Sequence, residues 1–173
     1  MNIRLADAED IDQIAQLYIS NWKAAYKGML PDTFLNQLDV SYGVQKWSAF
    51  LKLPDSRIFI ALDPPFFSGF GACSPEHDIE NCLYIDSLHV SAGARGKGTG
   101  TKLLQTIGKY AADMGYEKMS ICIIRGNDLA KNLYCRLGAV HYSFFTDDFG
   151  GTRSNSEKLL WNDLTCFHTE SGV

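Results

Sequence analysis

A chain of 173 residues with 46% hydrophobic and 21% charged residues is long enough for one domain with its own core, and its ordinary composition excludes disordered, fibrous and membrane classes. Its formal net charge of −4 excludes broad electrostatic binding of nucleic acid, which draws on clustered Lys and Arg, so any phosphate site must be local. The N-terminus lacks a basic segment followed by an apolar one, and no apolar run approaches the roughly 18 to 20 residues that span a bilayer, so a cytoplasmic location with no membrane partner is expected. The five cysteines (Cys73, Cys82, Cys122, Cys135, Cys166) contain no CxxC pair, and His77, His89, His141 and His168 show no ligand spacing. Neither a disulfide framework nor a metal site is expected.

In chain order, NIRL (2–5) alternates as a short strand, and Asp7 caps a helix with Ile11, Ile14, Ala15, Tyr18 and Trp22 on one face. Gly28 breaks that pattern, Pro31 suits a new first turn, and two short helices follow over about 31–38 and 41–52. RIFIAL, the turn DPP and FFSGFGAC predict a β-hairpin from residue 57 to 73, followed by a polar loop over 74–81. CLYIDSLHV (82–90) is a third strand of this group. It runs into a glycine-rich loop and a helix with Leu103, Leu104, Ile107, Ala111 and Met114 on one face, ended by Gly115. KMSICII (118–124) reads as a strand covered on both faces, and RGNDLAKNLYCRLGA as a loop, an N-cap at Asn127 or Asp128, a short helix and a stop at Gly138. HYSFF and SEKLLWNDL supply two last strands, with DDFGGTRSN (147–155) as the turn between them. This order predicts an α+β fold, a mixed sheet with helices on both faces, occupying residues 1–164 as one domain with a tail over 165–173.

The stretch HVSAGARGKGTGTKLL (89–104) lies at a strand-to-helix junction, where ligands gather in open sheets. It is not a Walker A loop, because Gly98 follows Gly96-Lys97 and Ser91 stands where the first glycine belongs. It is not a dinucleotide fingerprint either, because Thr101 stands in place of the third glycine. Its glycines still allow backbone N–H groups to turn inward at a helix N-terminus, and Arg95 and Lys97 add charge. A pyrophosphate suits such a pocket.

The spacing from Val90 through four residues to Arg95, then Gly98 and Gly100, resembles the signature of the GNAT superfamily of N-acetyltransferases. The segment Asn127, Ala130, Leu133-Tyr134, Leu137-Gly138 resembles that family's second acyl-CoA segment, and the aromatic arm from Trp22 and Tyr26 looks like that of one bacterial branch. The resemblance implies a mostly antiparallel central sheet with one splayed strand pair. It implies an acetyl-CoA-dependent enzyme, without a metal, that moves an acetyl group directly to a primary amine through a tetrahedral intermediate. The acceptor is a small molecule, peptide or protein, and a homodimer through the late strands is an assembly found among relatives. A non-catalytic acyl-CoA sensor of the same fold is the alternative.

Carried over residue by residue, the resemblance assigns Leu88, His89 and Val90 as main-chain contacts of the pantetheine arm. It places Arg95, Gly96, Lys97, Gly98, Thr99, Gly100 and Thr101 around the pyrophosphate, with Asn127 and Asn132 facing the coenzyme. Tyr134 takes the general-acid position. The strand Glu of many members is replaced here by Tyr84, which leaves Asp86, two residues on, as the candidate base, with Glu80, His89 or a water relay as alternatives. Trp22, Tyr26, Tyr84 and Trp47 are candidate walls of the acceptor site, and Glu76, Asp78, Asp147 and Asp148 candidate attractors of a cation.

Overall fold

The computed structural model describes residues 1–149 and 151–167, so His168 and the last residues of the expected tail lie outside the described residues. Strand β1 (Asn2–Leu5) leads into a single 3-10 turn at Ala8–Asp10. There Asp7 accepts from the Glu9 amide and Asp10 accepts from the Asp7 amide, a reciprocal cap that starts helix α1 (Ile11–Ala25). Helices α2 (Asp32–Gln37) and α3 (Val40–Leu51) complete the arm, and Asp39 caps α3 through the Tyr42 amide. The remaining elements are β2 (Arg57–Asp63), β3 (Phe66–Pro75), β4 (Cys82–Val90), α4 (Thr99–Asp113), β5 (Lys118–Ile124), α5 (Asp128–Arg136), β6 (Val140–Phe149) and β7 (Thr152–Trp161).

The strands form one seven-stranded sheet in the order β1-β2-β3-β4-β5-β7-β6, antiparallel except for β4 and β5, which α4 connects as a crossover. Each face of the sheet carries its own core. On one face α4 and α5 pack Leu103, Leu104, Ile107 and Tyr134 against Leu83, Ile85, Met119, Ile121, Leu159 and Trp161. On the other, the arm packs Ile14, Tyr18, Trp47 and Phe50 against Ile58, Ile60, Phe70 and Ile124. The expected mixed sheet with helices on both faces is therefore what forms.

Three boundaries differ from expectation. The stretch 147–155 is mostly strand: β6 and β7 stay paired out to Phe149↔Thr152, and the Gly151 amide is held by Asp148 Oδ1 at 2.8 Å. Turn-forming residues there ride a two-stranded ribbon at the sheet edge, where cross-strand bonds override local preference. Met114, expected on the buried face of α4, is 58% exposed, because the helix ends at Asp113 and Gly115 turns the chain away at φ 87°. The packed unit also runs past residue 164: Thr165–Phe167 form a helical turn, and Phe167 is buried against Trp161 and Gly108.

Candidate active site

The site is built around a break in the sheet. On its β3 side, β4 pairs along its whole length, from Pro75↔Leu83 to Gly69↔Val90. On its β5 side, pairing stops at Ile85↔Ile121, so the main chain of residues 86–90 has no strand partner there among the described residues. The register explains the break. Ala72 pairs with Ser87 and Cys73 with Ile85, which leaves Asp86 as the extra residue of a β-bulge. A bulge bends its strand and re-aims side chains, and this one turns β4 away from β5. Leu83 and Ile85 face α4 before the bulge and Leu88 faces it after, so the alternation changes phase at Asp86. The result is a wedge closed at the bottom by paired strands and open at the top.

At the top, β4 feeds the glycine loop. Gly96 and Gly98 lie in the left-handed region at φ 73° and 82°, where a Cβ is strained. Helix α4 then begins at Thr99, with the first turn of amides pointing back at the loop. Among the described residues the N–H groups of Gly96, Gly98, Thr99, Gly100 and Thr101 have no carbonyl acceptor, whereas those of Arg95 and Lys97 close the loop onto Ala92 and Ala94. Five free donors at a helix N-terminus make a cradle for an anion. Lys97 is exposed beside it. The Arg95 side chain turns to the arm instead, donating Nη2 to Asn21 Oδ1 at 2.8 Å and Nε to the Val90 carbonyl at 3.3 Å. Asn21 Nδ2 donates to that same carbonyl at 3.1 Å, so α1 is pinned to the end of β4. These bonds commit the Val90 carbonyl, and the His89 carbonyl turns toward Gly69 of β3, so of residues 88 and 89 it is Leu88 whose main chain is open on the β5 side.

Two walls flank the wedge. On the α5 side, Asn127 caps the helix by accepting from the Ala130 amide at 3.4 Å, and Tyr134 is buried against Trp161. Burial, with the Tyr26 phenol nearby, pushes the Tyr134 hydroxyl well above its usual value, so it is a neutral proton donor at any physiological pH. It has no hydrogen-bond partner among the described residues. Tyr26 reaches Asn127 from the arm, which joins the expected acceptor wall to the expected coenzyme wall. Asn132 is exposed on the outer face of α5. Lys131 ties that helix down: its Nζ meets Glu157 Oε2 at 2.7 Å, and His141 Nδ1 meets Oε1 at 2.8 Å.

Burial raises the Glu157 carboxyl, but the bonds from Lys131 and His141 outweigh it and hold the group below the ordinary value of 4.5. A carboxyl held lower in the folded than in the unfolded chain stabilises the fold above the unfolded value, and that contribution is lost as pH falls through the folded one. The urea midpoint is therefore expected to drop as pH is taken below about 4.5, and Glu157→Gln to flatten part of that fall. An unchanged acid limb in the Gln variant would assign the loss to other carboxylates.

On the arm side, Tyr84 and Asp86 share one face, as alternation predicts. Asp86 Oδ1 meets Lys46 Nζ of α3 at 3.2 Å and accepts from the Ser87 hydroxyl at 3.0 Å. The carboxylate keeps 24% of its side chain exposed. Tyr84 is partly buried beside Cys122 and Asp86, and burial raises its phenol far above the usual value, so it carries no charge at neutral pH. The other base candidates lie elsewhere. Glu80 is exposed on the loop before β4, at the closed end of the wedge. The His89 imidazole stacks on Phe70 and is bordered by Tyr18; burial, with Lys46 and Arg95 nearby, pushes its pKa down to about 3.

Trp22 packs edge-on against Tyr26 and Phe34 and tilted against Phe149, a lining that joins the arm to the tip of β6, whereas Trp47 is wholly buried core. Glu76 is not a free attractor of cations: it accepts from Ser120 at 2.6 Å and pairs with Lys158 at 2.9 Å, on the sheet face that Tyr84 shares. Asp78 lies 3.9 Å from the same lysine. Asp147 and Asp148 accept from backbone amides of the β6–β7 hairpin. Sequence reasoning did not single out Lys46, Asn21 or Cys122, which reach the site only through the packing of the arm and the pairing of β5.

The chain that builds this site has counterparts among known proteins. The model of the acetyltransferase (GNAT) family matches residues 14–139. The chain is 25% identical over 98% of its length, and 97% of the other's, to an uncharacterized N-acetyltransferase, YuaI, of Bacillus subtilis (strain 168). A ribosomal-protein-alanine N-acetyltransferase from Brucella melitensis superimposes with a TM-score of 0.74 at 17% identity, over 93% of this chain and 99% of that one. A putative acetyltransferase, yncA, from Salmonella typhimurium, solved with its cofactor acetyl-CoA, superimposes at 0.71 and 18% identity over 100% and 96%. No described helix is long and apolar enough to cross a membrane. With the family model covering most of the residues that build the wedge, the cradle and Tyr134, the chain belongs to the GNAT family of acetyltransferases.

Proposed function

We propose that the protein transfers an acetyl group from acetyl-CoA to a primary amine carried by a small molecule, peptide or protein. The observation that carries this reading is the wedge: free β4 main chain of the right length for an added strand, ending in a cradle of unpaired amides. The residues fit the coenzyme. Leu88 would bond the pantetheine amides through its main chain, Asn127 would meet them from the opposite wall, and the amides of Gly96, Gly98, Thr99, Gly100 and Thr101 would hold the pyrophosphate. Gly100 supports this fit, since a Cβ there would lie 3.3 Å from Leu133, so glycine lets the helix start close against α5. The acetyl-CoA found in the Salmonella protein is consistent with it.

When bound, the coenzyme supplies an acetyl thioester as donor. The protein supplies the rest. The amides beside the bulge would polarise the carbonyl, as donors aimed at developing charge do. Asp86 would take the proton that an alkyl ammonium must lose, since its ordinary pKa near 10 leaves it almost wholly charged at neutral pH. Tyr134 would protonate the leaving thiolate from the opposite wall. The arm aromatics Trp22 and Tyr26, with Tyr84, would exclude water from the acceptor side.

Two measurements test the reading together. Acetyl-CoA should raise the melting temperature, because a ligand that binds only the folded state stabilises it. Thiol release should follow when a panel of primary amines is added. Binding without thiol release on any amine would mark a non-catalytic sensor, and neither effect would sink the reading. Asp86→Asn should lower kcat/KM by ~10²-fold at neutral pH. Unchanged turnover on an accepted amine would exclude Asp86 as the base.

A further inference from the structure

The cation that neutralises the candidate base is itself a primary amine. Lys46 Nζ lies 3.2 Å from Asp86 Oδ1, 4.7 Å from the centre of the Trp47 ring and 5.7 Å from that of Tyr18. A carboxylate backed by aromatic faces is how an ammonium is recognised. Asp86 is the first residue of β4 beyond its last rung with β5, so Nζ stands at the mouth of the wedge. The lysine reaches this place on a flexible aliphatic stem, with 27% of its side chain exposed. In chemistry and position it is what an acceptor would be.

We propose that Lys46 is an acceptor of the protein's own reaction, an autoacetylation site beside its catalytic carboxylate. The inference rests on the acetyl-CoA reading above. The step balances within that activity. The Lys46 ammonium gives one proton to Asp86 and thence to water, its nitrogen forms the C–N bond to the acetyl carbon as the C–S bond breaks, and its second proton offsets the one that Tyr134 gives to the thiolate. The products are Nε-acetyl-lysine, free coenzyme A thiol and one proton. No further oxidant or reductant enters. Acetylation removes the positive charge, so it also ends the ion pair with Asp86. An external amine must displace the same ammonium to reach the carboxylate, so acceptor and Lys46 compete for one place.

The test incubates the purified full-length protein with acetyl-CoA and no acceptor, and follows intact mass and peptide mass maps over time. The expected result is one acetyl group per chain, located on Lys46, and none in Lys46→Arg, which keeps the ion pair and so the fold. Tyr134→Phe should slow incorporation by ~10²-fold, as expected for loss of a general acid. An excess of a small primary amine that the enzyme acetylates should slow it too. An unmodified Lys46 in a protein whose melting temperature acetyl-CoA does raise would overturn this proposal and leave the acetyltransferase reading standing. So would acetyl groups scattered over the exposed Lys23, Lys27, Lys97 and Lys102 at rates that Tyr134→Phe does not change, the mark of uncatalysed chemistry. If acetyl-CoA neither binds nor modifies the protein, both readings fall.

Discussion

Tyr134→Phe is expected to lower kcat by ~10²- to 10³-fold while leaving the coenzyme dissociation constant and the melting temperature almost unchanged. The split follows from the position of the hydroxyl. The ring is 5% exposed and packs against Trp161 in the larger core, which phenylalanine preserves atom for atom. The hydroxyl bonds nothing among the described residues, so its removal strands no partner and adds no unsatisfied group. Burial keeps its proton on the oxygen until the coenzyme A thiolate develops beside it as the C–S bond breaks. The loss should therefore fall on the chemical step, seen as reduced single-turnover rates at saturating acetyl-CoA. Unchanged turnover on an accepted amine would exclude Tyr134 as the acid.

What was legible in the sequence follows from which constraints are local. The cradle could be read because a left-handed turn and a close helix start demand glycine at fixed positions, and Gly96, Gly98 and Gly100 record that demand directly. The elements of the two cores could be read because β2 to β5 and α4 bury one stripe or both faces, which imposes periodicity. The β6–β7 ribbon was less legible: its outer strand is an edge with Val140, Tyr142 and Phe144 about half exposed, so no burial pattern contradicts the turn-forming Asp, Gly and Asn around residue 150. In the site, Tyr134 on α5 and Asp86 on β4 could be named as candidates from residue types at fixed spacings. The bulge at Asp86 was not, because it exists only in the register against Ala72 and Cys73. The bonds from Lys46 to Asp86 and from Asn21 to Arg95 span 40 and 74 residues and depend on how the arm lies across the sheet, which no local pattern encodes.

Gly69→Ala is expected to destabilise the protein by ~1 to 3 kcal/mol and to lower kcat/KM for acetyl-CoA by up to ~100-fold, although residue 69 touches neither proposed reactant. Gly69 lies in β3 opposite Val90, and a Cβ there would stand 2.5 Å from the His89 carbonyl oxygen, 3.3 Å from Val90 Cα and 3.4 Å from Leu103. The nearest of these is backbone, about 1 Å inside comfortable contact, so the methyl can fit only if β4 moves. β4 cannot move without disturbing the wedge: residues 88 to 90 form its open edge, and Val90 is where Asn21 and Arg95 fasten the arm. Urea denaturation would read the loss of stability, and the coenzyme-induced shift in melting temperature the loss of binding. Gly93→Ala is the control, since a Cβ there meets nothing within 4 Å and its backbone is unstrained, although it lies in the same approach to the cradle. If both variants behaved like the parent, the close approach of β3 to β4 would not be what sets the width of the wedge. A loss of coenzyme binding in Gly69→Ala alone would locate that width in one missing side chain on a neighbouring strand.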